Sequence, residues 1–243
     1  MTAALARVRD RIADAARRAG REPSSVVLVG VTKTHPPEVA RAAVAAGLVD
    51  LGENRVAELT AKRTRVPGAR WHLVGQLQRR KARDVVGHQV LVHSLDRRSL
   101  ADELAKRAAA AGVVQRALVQ VNVGDDPAKG GCRLDEAAEL VAYARGLDHL
   151  AIEGLMTIPP LPTDDEDPGE AARPHFATLR ALRDELRREH PEVVHLSMGM
   201  SADLDAAVAE GATIVRVGTA IFGHRGGGPW RPDPEPSAQE APS

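Results

Sequence analysis

Residues 26–37 of this chain read Val-Val-Leu-Val-Gly-Val-Thr-Lys-Thr-His-Pro-Pro, a nearly continuous aliphatic run that ends in a lysine. Such a run is typical of a strand buried on both faces, as in a parallel sheet covered by helices. Lys33 stands where that strand ends. We expect its amine to be partly desolvated there, which lowers a lysine pKa and makes the neutral, nucleophilic form available. Because a lysine at a strand end is more often a solvated surface charge, this residue alone does not decide the function.

The composition restricts the classes of protein to consider. The 243 residues carry 33 basic and 33 acidic side chains, so the chain is formally neutral and gives no support for a nucleic-acid or membrane-surface partner. The length fits one large α/β domain. A single cysteine excludes an intramolecular disulfide, and no apolar stretch reaches the roughly 20 residues of a membrane span. Residues 1–20 have the periodicity of an amphipathic helix rather than a signal peptide, so we expect a cytoplasmic protein.

Short apolar runs alternate with alanine- and arginine-rich helical stretches along the chain. This alternation predicts a (β/α)8 barrel of the TIM type, with an open doubly wound sheet as the alternative. The predicted strands are 26–32, 48–51, 71–74, 90–93, 117–123, 152–156, 193–196 and 213–217. The predicted helices are 37–46, 55–65, 79–86, 97–111, 134–145, 175–189 and 203–210. Glycines that suit helix C-termini follow four of them, namely Gly47, Gly112, Gly146 and Gly211.

Two segments interrupt this alternation. Residues 161–170 are acidic and contain prolines, which predicts a loop after the sixth strand. The loop could border the active face, although a solvated insertion is the simpler interpretation. Residues 226–243 are rich in Gly, Pro and Ser and predict a disordered tail. The barrel domain is therefore expected to span residues 1–225.

Polar residues follow the predicted strands at the end where barrels place their chemistry. In residues 197–201, Ser-Met-Gly-Met-Ser, a strand runs into a helix predicted to begin at Asp203, and outward amides at a positive helix end suit a phosphate group. Gly218 and Thr219 offer a second set of donors after the eighth strand, where barrels commonly bind phosphate. Equally, Ser201 could be only an N-cap and Gly218 only a turn residue.

Other polar residues have simpler interpretations. Arg216, at the end of the eighth strand, would be a phosphate ligand or an ion-pair partner if it faces inward. The nine histidines are scattered without close pairs on one element, so we expect no metal site. His72 and His195 lie within predicted strands, where a hydrogen-bonded core histidine is the default. Trp71 is expected in the core, and Cys132 is interpreted as an incidental thiol in a loop.

Several segments, taken together, resemble the YggS/PROSC family of pyridoxal-phosphate homeostasis proteins over about residues 26–223. An early TKT followed in order by HLSMGMSADL and VRVGTAIFG is a highly specific combination, whereas any one of these motifs alone is not. The segments that carry the resemblance are VTKTHP, LGENRVAE, WHLVGQLQRRK, VQVNVGDDPAKGG, GLMTIPP, HFATLR and HLSMGMSADLDAAVAEGATIVRVGTAIFG.

The resemblance implies a fold type III barrel, like the N-terminal domain of alanine racemase, with a site for pyridoxal 5'-phosphate. By this resemblance Lys33 holds the cofactor as an internal aldimine, Arg216 faces its pyridine nitrogen and Asn54 lies beside its ring. Met156 is implied to be near the ring as well. The implied phosphate ligands are Ser197, Gly199, Ser201, Gly218 and Thr219.

These implied roles are chemically consistent, because the cofactor needs an amine for its aldehyde, an anion site for its phosphate and a partner for its ring nitrogen. A cationic arginine disfavours protonation of that nitrogen and so weakens the ring as an electron sink. Two positions depart from the family pattern: His35 replaces a lysine, and Arg80 stands where asparagine is common. Lys81 and Lys129 match family lysines without an assigned role.

The choice between enzyme and carrier depends on a second base. Alanine racemase takes that base from a separate β-domain, whereas this chain ends soon after its eighth predicted strand and its only tyrosine, Tyr143, is expected mid-helix. We therefore expect a cofactor-binding protein that buffers or delivers pyridoxal phosphate without robust catalysis, and we assign no catalytic residue. A low-activity racemase and a Schiff-base aldolase acting on a sugar phosphate stay open. The expected partners are the cofactor and apo-enzymes that receive it, and a monomer is the simplest state.

Overall fold

The computed structural model describes residues 1–223, and the tail predicted at 226–243 lies outside them. The strands are β1 (Val27–Val31), β2 (Asp50–Glu53), β3 (Arg70–Leu73), β4 (Leu91–Leu95), β5 (Gln115–Asn122), β6 (Cys132–Arg133), β7 (Leu150–Met156), β8 (His195–Ser197) and β9 (Ile214–Val217). The helices are α1 (Thr2–Arg18), α2 (Pro37–Ala45), α3 (Val56–Arg63), α4 (Arg98–Ala111), α5 (Ala137–Arg145), α6 (Pro168–Leu186), α7 (Leu204–Ala209) and α8 (Thr219–Phe222). Within residues 1–223, none of these helices has the length and apolar character needed to cross a bilayer.

The parallel strands close into an eight-stranded barrel. The order around the sheet is β4-β3-β2-β1-β9-β8-β7-β5, and pairing between β4 and β5 joins its two ends. This closure confirms the predicted barrel and excludes the open doubly wound sheet. The ninth strand, β6, has two residues and pairs with the end of β5, so that Val121 lies opposite Cys132. Cys132 therefore lies in a short strand rather than in the expected loop.

The barrel separates two apolar cores, because successive side chains on each strand point alternately inward and outward. The larger core lies between the strands and the helices. Inside the barrel a smaller cluster is formed by Val29, Leu91, Leu118, Met156 and Ile214. Above and below this cluster the inward positions carry polar side chains, which form the functional parts of the molecule described below.

Two elements differ from the sequence prediction. The helix predicted at 79–86 is a 3₁₀ helix over Arg79–Asp84. Helix α6 begins at Pro168 rather than at residue 175, because the Asp167 carboxylate accepts hydrogen bonds from the backbone N–H groups of Gly169 and Glu170. The predicted acidic loop at 161–170 is therefore shorter, and its last residues form the first turn of α6.

Helix α1 packs across the outside of the barrel, as its periodicity predicts. It buries Leu5, Val8 and Ile12. Its exposed side carries Arg11, which donates a hydrogen bond of 2.6 Å to the carbonyl oxygen of Ser201. The N-terminal helix thereby holds the loop that follows β8.

Candidate functional site

Lys33, Asn54 and Gly218 meet where three neighbouring strands end. The register pairs Val31 of β1 with Gly52 of β2, so Lys33 and Asn54, each two residues further on, leave the barrel side by side. Gly218 follows β9 on the other side of β1. A Cβ atom on Gly218 would lie 3.2 Å from the carbonyl oxygen of Val31, so only glycine lets the two chains approach this closely without adjustment. The sequence prediction that these residues share one face is therefore met.

Lys33 lies on a tight, exposed turn. Its side chain and that of Asn54 are exposed, which corrects the expectation of a partly desolvated amine at this strand end. The next residue, Thr34, has φ of 64°, in the left-handed region that non-glycine residues rarely occupy. The backbone N–H of Thr34 donates a 2.6 Å hydrogen bond to Oε2 of Glu58 on α3. A charged group from the neighbouring helix thus holds the turn that carries Lys33.

A buried ion cluster lies beneath that turn. The Nζ atom of Lys62 lies 2.6 Å from Oε1 of Glu53 and 3.5 Å from Oε2 of Glu58, and it donates a hydrogen bond to the carbonyl oxygen of Thr32. Thr32 also donates its hydroxyl to Glu53. Burial raises the pKa of Glu53 to about 7, because desolvation outweighs the attraction of Lys62. The cluster joins the ends of β1 and β2 to α3.

Sequence reasoning missed this cluster. A signal was present, because Glu53 precedes Asn54 at the end of a strand that is otherwise apolar, and Glu58 and Lys62 are four residues apart on one helix. Nothing in the pattern distinguished this pair from a solvated pair on a helix surface. Only the packing of α3 against the barrel shows that both side chains are buried.

Arg216 points into the barrel just below the site. Its Nη1 donates to the hydroxyl of Ser197 at 2.7 Å, and its Nη2 donates to the carbonyl oxygen of Thr157 at 2.8 Å. Only 5% of the residue is exposed. Burial lowers the pKa of Arg216 to about 10, with Asp203 acting in the opposite direction. The guanidinium therefore keeps its charge at neutral pH and lies at a fixed place.

The segment after β8 is arranged differently from the sequence prediction. The hydroxyl of Ser197 is fully buried and faces Arg216, so it is turned away from the surface of the site. The carboxylate of Asp203 accepts the backbone N–H of Met200 at 2.5 Å, and the short helix α7 begins only after it. This negative charge at the start of a six-residue helix reduces the positive helix-end effect that the sequence predicted. Ser201 is half-buried.

The segment after β9 is tied to the turn that carries Lys33. Thr219 is exposed and begins the four-residue helix α8 directly after Gly218. In the same helix, the ring of Phe222 lies against His35, with 5.7 Å between the ring centroids. His35, which departs from the family pattern, therefore contacts the end of the short helix that follows Gly218.

Met156 lies in the apolar cluster inside the barrel. It is fully buried and packs with Val29 and Ile214. In the register it pairs with Ser197 of β8, the residue whose hydroxyl accepts from Arg216. The structure thus gives Met156 a core position below the site, and its nearness to a cofactor ring stays a prediction.

The histidines and Trp71 have the structural partners expected of core residues. His72 faces the barrel interior, where its Nδ1 lies 2.9 Å from Nε2 of His93. His195 is half-buried, with Nδ1 at 3.2 Å from the hydroxyl of Thr213. Trp71 is buried. In the part of the chain that the structure describes, no three His, Cys, Asp or Glu side chains are arranged to hold a metal ion.

Tyr143 and Cys132 lie away from the site. Tyr143 donates its hydroxyl to Asp102 at 2.6 Å, and its ring lies under the guanidinium of Arg98, 4.8 Å from the centroid. Both partners belong to the α4 region on the outer layer of the barrel. Cys132 is buried, and burial raises the pKa of its thiol to about 12, so the sulfur stays protonated.

Comparison with known proteins identifies the family. The model of the alanine racemase N-terminal domain family matches residues 4–226. The pyridoxal phosphate homeostasis protein of Aquifex aeolicus is 47% identical over 224 residues, covering 91% of this chain and 96% of the relative. The protein of the same name from Escherichia coli K12 is 38% identical over 226 residues, covering 91% and 95%. The chain belongs to the pyridoxal phosphate homeostasis protein family. This confirms the resemblance found in the sequence.

Solved structures agree with this assignment. PipY of Synechococcus elongatus, solved with pyridoxal phosphate bound, superposes with a TM-score of 0.75 at 38% identity and covers 89% of this chain and 100% of its own. A protein from Bifidobacterium adolescentis superposes with a TM-score of 0.83 at 37% identity, covering 91% and 94%. Alanine racemase of Clostridium difficile, at 18% identity and a TM-score of 0.71, covers 90% of this chain and 60% of its own and shows the shared fold.

Proposed function

We propose that this protein binds pyridoxal phosphate through a Schiff base at Lys33 and serves to buffer or deliver the cofactor. The observation that carries this proposal is the adjacency of β1 and β9, in which Val29 pairs with Arg216. That register places a lysine, a buried guanidinium and the glycine at 218 around one strand end. The relatives are named for homeostasis of this cofactor, and PipY has been solved with it.

The residues present fit the cofactor. Lys33 supplies an exposed amine at the mouth of the barrel. Arg216 supplies a buried cation that hydrogen bonds to Ser197 and to the carbonyl oxygen of Thr157 hold in place. Gly218 lets backbone amides lie close to β1, while Ser201 and Thr219 add hydroxyl groups for a phosphate. When bound, pyridoxal phosphate supplies an aldehyde that condenses reversibly with amines.

The proposed bond is made by Lys33 in its neutral form. Its nitrogen adds to the aldehyde carbon, a C=N bond replaces the C=O bond, and one water molecule leaves with the oxygen. The reverse reaction with water returns the free amine and the free cofactor. Because Lys33 is exposed, water and acceptor amines reach this bond, as storage and release require.

The surroundings of the site favour a carrier over an enzyme. Two-base chemistry on an amino acid requires a second proton-transfer group opposite the lysine. Tyr143, the only tyrosine, is held by Asp102 on the outer layer and does not reach the site. Arg216 also disfavours a proton on the ring nitrogen, which weakens electron withdrawal. We propose that apo-enzymes dependent on the cofactor are the recipients.

The proposal is tested by the visible absorbance of the full-length protein after incubation with pyridoxal phosphate. We expect a band that borohydride fixes onto one peptide, with mass spectrometry locating the modification at Lys33. The chain has five lysines, so the assignment is unambiguous. The Lys33→Ala protein should lose the band, whereas Lys81→Ala and Lys129→Ala should keep it. Modification at Lys81 or Lys129 instead would overturn the assignment.

Carrier and enzyme are separated by two further measurements on the loaded protein. A carrier restores activity to an apo-enzyme while showing no exchange of the Cα hydrogen of added amino acids with deuterium from the solvent. A racemase shows that exchange. Rapid exchange that disappears in Lys33→Ala would contradict the carrier assignment and support the low-activity racemase.

A further inference from the structure

Five polar groups form a continuous hydrogen-bonded line across the interior of the barrel. Arg216 Nη1 lies 2.7 Å from Ser197 Oγ, and that oxygen lies 2.8 Å from Nδ1 of His93. The other ring nitrogen of His93, Nε2, lies 2.9 Å from Nδ1 of His72. Finally, Nε2 of His72 lies 3.2 Å from Oδ1 of Asp50. We call this line the interior relay; it runs from the Lys33 end of the barrel to the opposite end.

With one proton on each imidazole ring, the two ends of the interior relay determine the direction of every hydrogen bond in it. A guanidinium only donates and an ionised carboxylate only accepts. His72 must therefore donate from Nε2 to Asp50, which leaves its Nδ1 as an acceptor for Nε2–H of His93. Neutral His93 then accepts at Nδ1 from the hydroxyl of Ser197, whose oxygen accepts from Arg216. Each of the three inner groups, Ser197, His93 and His72, thus has one donor role and one acceptor role within the line.

The surroundings of the relay support this assignment. Burial alone would raise the pKa of Asp50, but hydrogen bonds from His72 and Arg70 hold it at about 2, so the carboxylate is ionised. His93 is completely buried, and desolvation, followed by the nearby His72, Arg216 and His195, lowers its pKa well below the usual range.

The far end of the relay opens to solvent. Asp50 and His72 line a cavity of about 610 Å³ at the amino-terminal mouth of the barrel, together with Arg70, Arg116 and His195. Arg70 pairs with Asp50, and Arg116 pairs with Glu153 on β7. Both arginines at this mouth are therefore paired with carboxylates, and Arg70 holds the Asp50 carboxylate at the end of the relay in place.

We propose that His93 and His72 are positioning residues that fix the guanidinium of Arg216 through Ser197, so that its free N–H groups are held toward the ring nitrogen of the cofactor. The cofactor part of this inference rests on the proposed function. A guanidinium carried by a single strand position has several rotamers, and hydrogen bonds to Ser197 and to the carbonyl of Thr157 select one of them. The relay keeps the Ser197 oxygen oriented as an acceptor, because its proton is committed to His93.

The first test does not need the cofactor. Nitrogen-15 NMR of the histidine side chains in the full-length protein, assigned with His72→Gln and His93→Gln, should place the single proton of each ring on Nε2. Hydrogen exchange at the Arg216 guanidinium should be about tenfold faster in His93→Leu than in the wild type. In that variant the Ser197 hydroxyl that accepts from Arg216 loses its own hydrogen bond to His93. A proton on Nδ1 of His93, or unchanged exchange in His93→Leu, would overturn the relay.

The second test compares pyridoxal phosphate with its deaza analogue, in which carbon replaces the ring nitrogen. In His93→Leu the affinity for pyridoxal phosphate should fall about tenfold, while affinity for the analogue changes by less than about threefold. His93→Gln should bind pyridoxal phosphate with the affinity of the wild type, because its amide can accept from Ser197 and donate to His72. His88→Gln, at an exposed histidine of the opposite mouth, is the matched control and should bind both ligands as the wild type does.

The outcomes separate this inference from the proposed function. If His93→Leu loses affinity for both ligands equally, the relay serves folding alone and the positioning role is wrong. If the wild type forms no visible band at Lys33, the proposed function fails, and the NMR and exchange results still decide whether the relay fixes Arg216.

Discussion

The buried carboxyl group of Glu53 provides a quantitative test of the ion cluster beneath Lys33. We consider Glu53→Gln, which keeps the shape of the side chain and an oxygen that can accept from Lys62 and Thr32, but cannot ionise. The substitution also replaces Oε2, which has no hydrogen-bond partner within the described residues. The two proteins should therefore differ mainly in the ionisation of one buried group.

The pH dependence follows from the pKa of Glu53. Its value in the folded protein, about 7, lies above the ordinary value of 4.5. A group whose pKa is raised by folding contributes stability that is fully present below its unfolded pKa and is lost as the pH rises through its folded pKa. Between pH 5 and pH 8, the free energy of unfolding of the wild type should fall by about 2–3 kcal/mol relative to Glu53→Gln.

The measurement is denaturant unfolding of both proteins, followed by circular dichroism, at several pH values from 5 to 8. Glu189→Gln, at an exposed glutamate on the surface, is the control and should show a difference that is nearly independent of pH. If the difference between wild type and Glu53→Gln is flat or increases with pH, then Lys62 keeps Glu53 ionised throughout and our account of the cluster is wrong.

Two further substitutions test the packing around the site. Lys62→Met removes the cation that lies between the buried carboxyl groups of Glu53 and Glu58, and it should lower the free energy of unfolding by about 3–5 kcal/mol. Lys106→Met, at an exposed lysine, is the control and should change it little. Equal stabilities of the two variants in denaturant unfolding would contradict the buried pair. Gly199→Ala should cost about 1–3 kcal/mol more than Gly112→Ala, because both glycines have positive φ but only the new Cβ at 199 would lie 2.4 Å from Ala207. Equal melting temperatures for these two variants would show that the β8 loop relaxes freely.

The fold could be predicted because it depends on patterns that are local in the chain. The aliphatic run before Lys33 and the seven runs that follow it have the length and burial pattern of parallel strands, and four of the eight helices end near the predicted glycines. Boundaries were less accurate where one side chain decides them. The start of α6 depends on the capping of its first amides by Asp167, and this contact was not considered in the sequence prediction.

The candidate site was only partly predictable. A parallel barrel brings the carboxyl ends of its strands together, so Lys33, Asn54 and Gly218 could be grouped from their positions after strands. Ser197 shows the limit of this reasoning, because its place at a strand end suggested a phosphate ligand, whereas its hydroxyl is directed inward to Arg216. A shift of the strand by one residue would turn the Ser197 side chain from the barrel interior to the other face of the sheet. The sequence does not determine that register.

The sequence by itself determined that this protein is a parallel barrel with a lysine at the end of its first strand, and its motifs indicated the family. The tertiary structure decided which charges are buried and which groups they contact. Glu53 and Lys62 resemble surface residues until α3 packs over them, and His93 meets Arg216 only through a serine that is 104 residues away along the chain. Burial and hydrogen-bond direction depend on groups that are distant in sequence, so they appear only when the barrel closes.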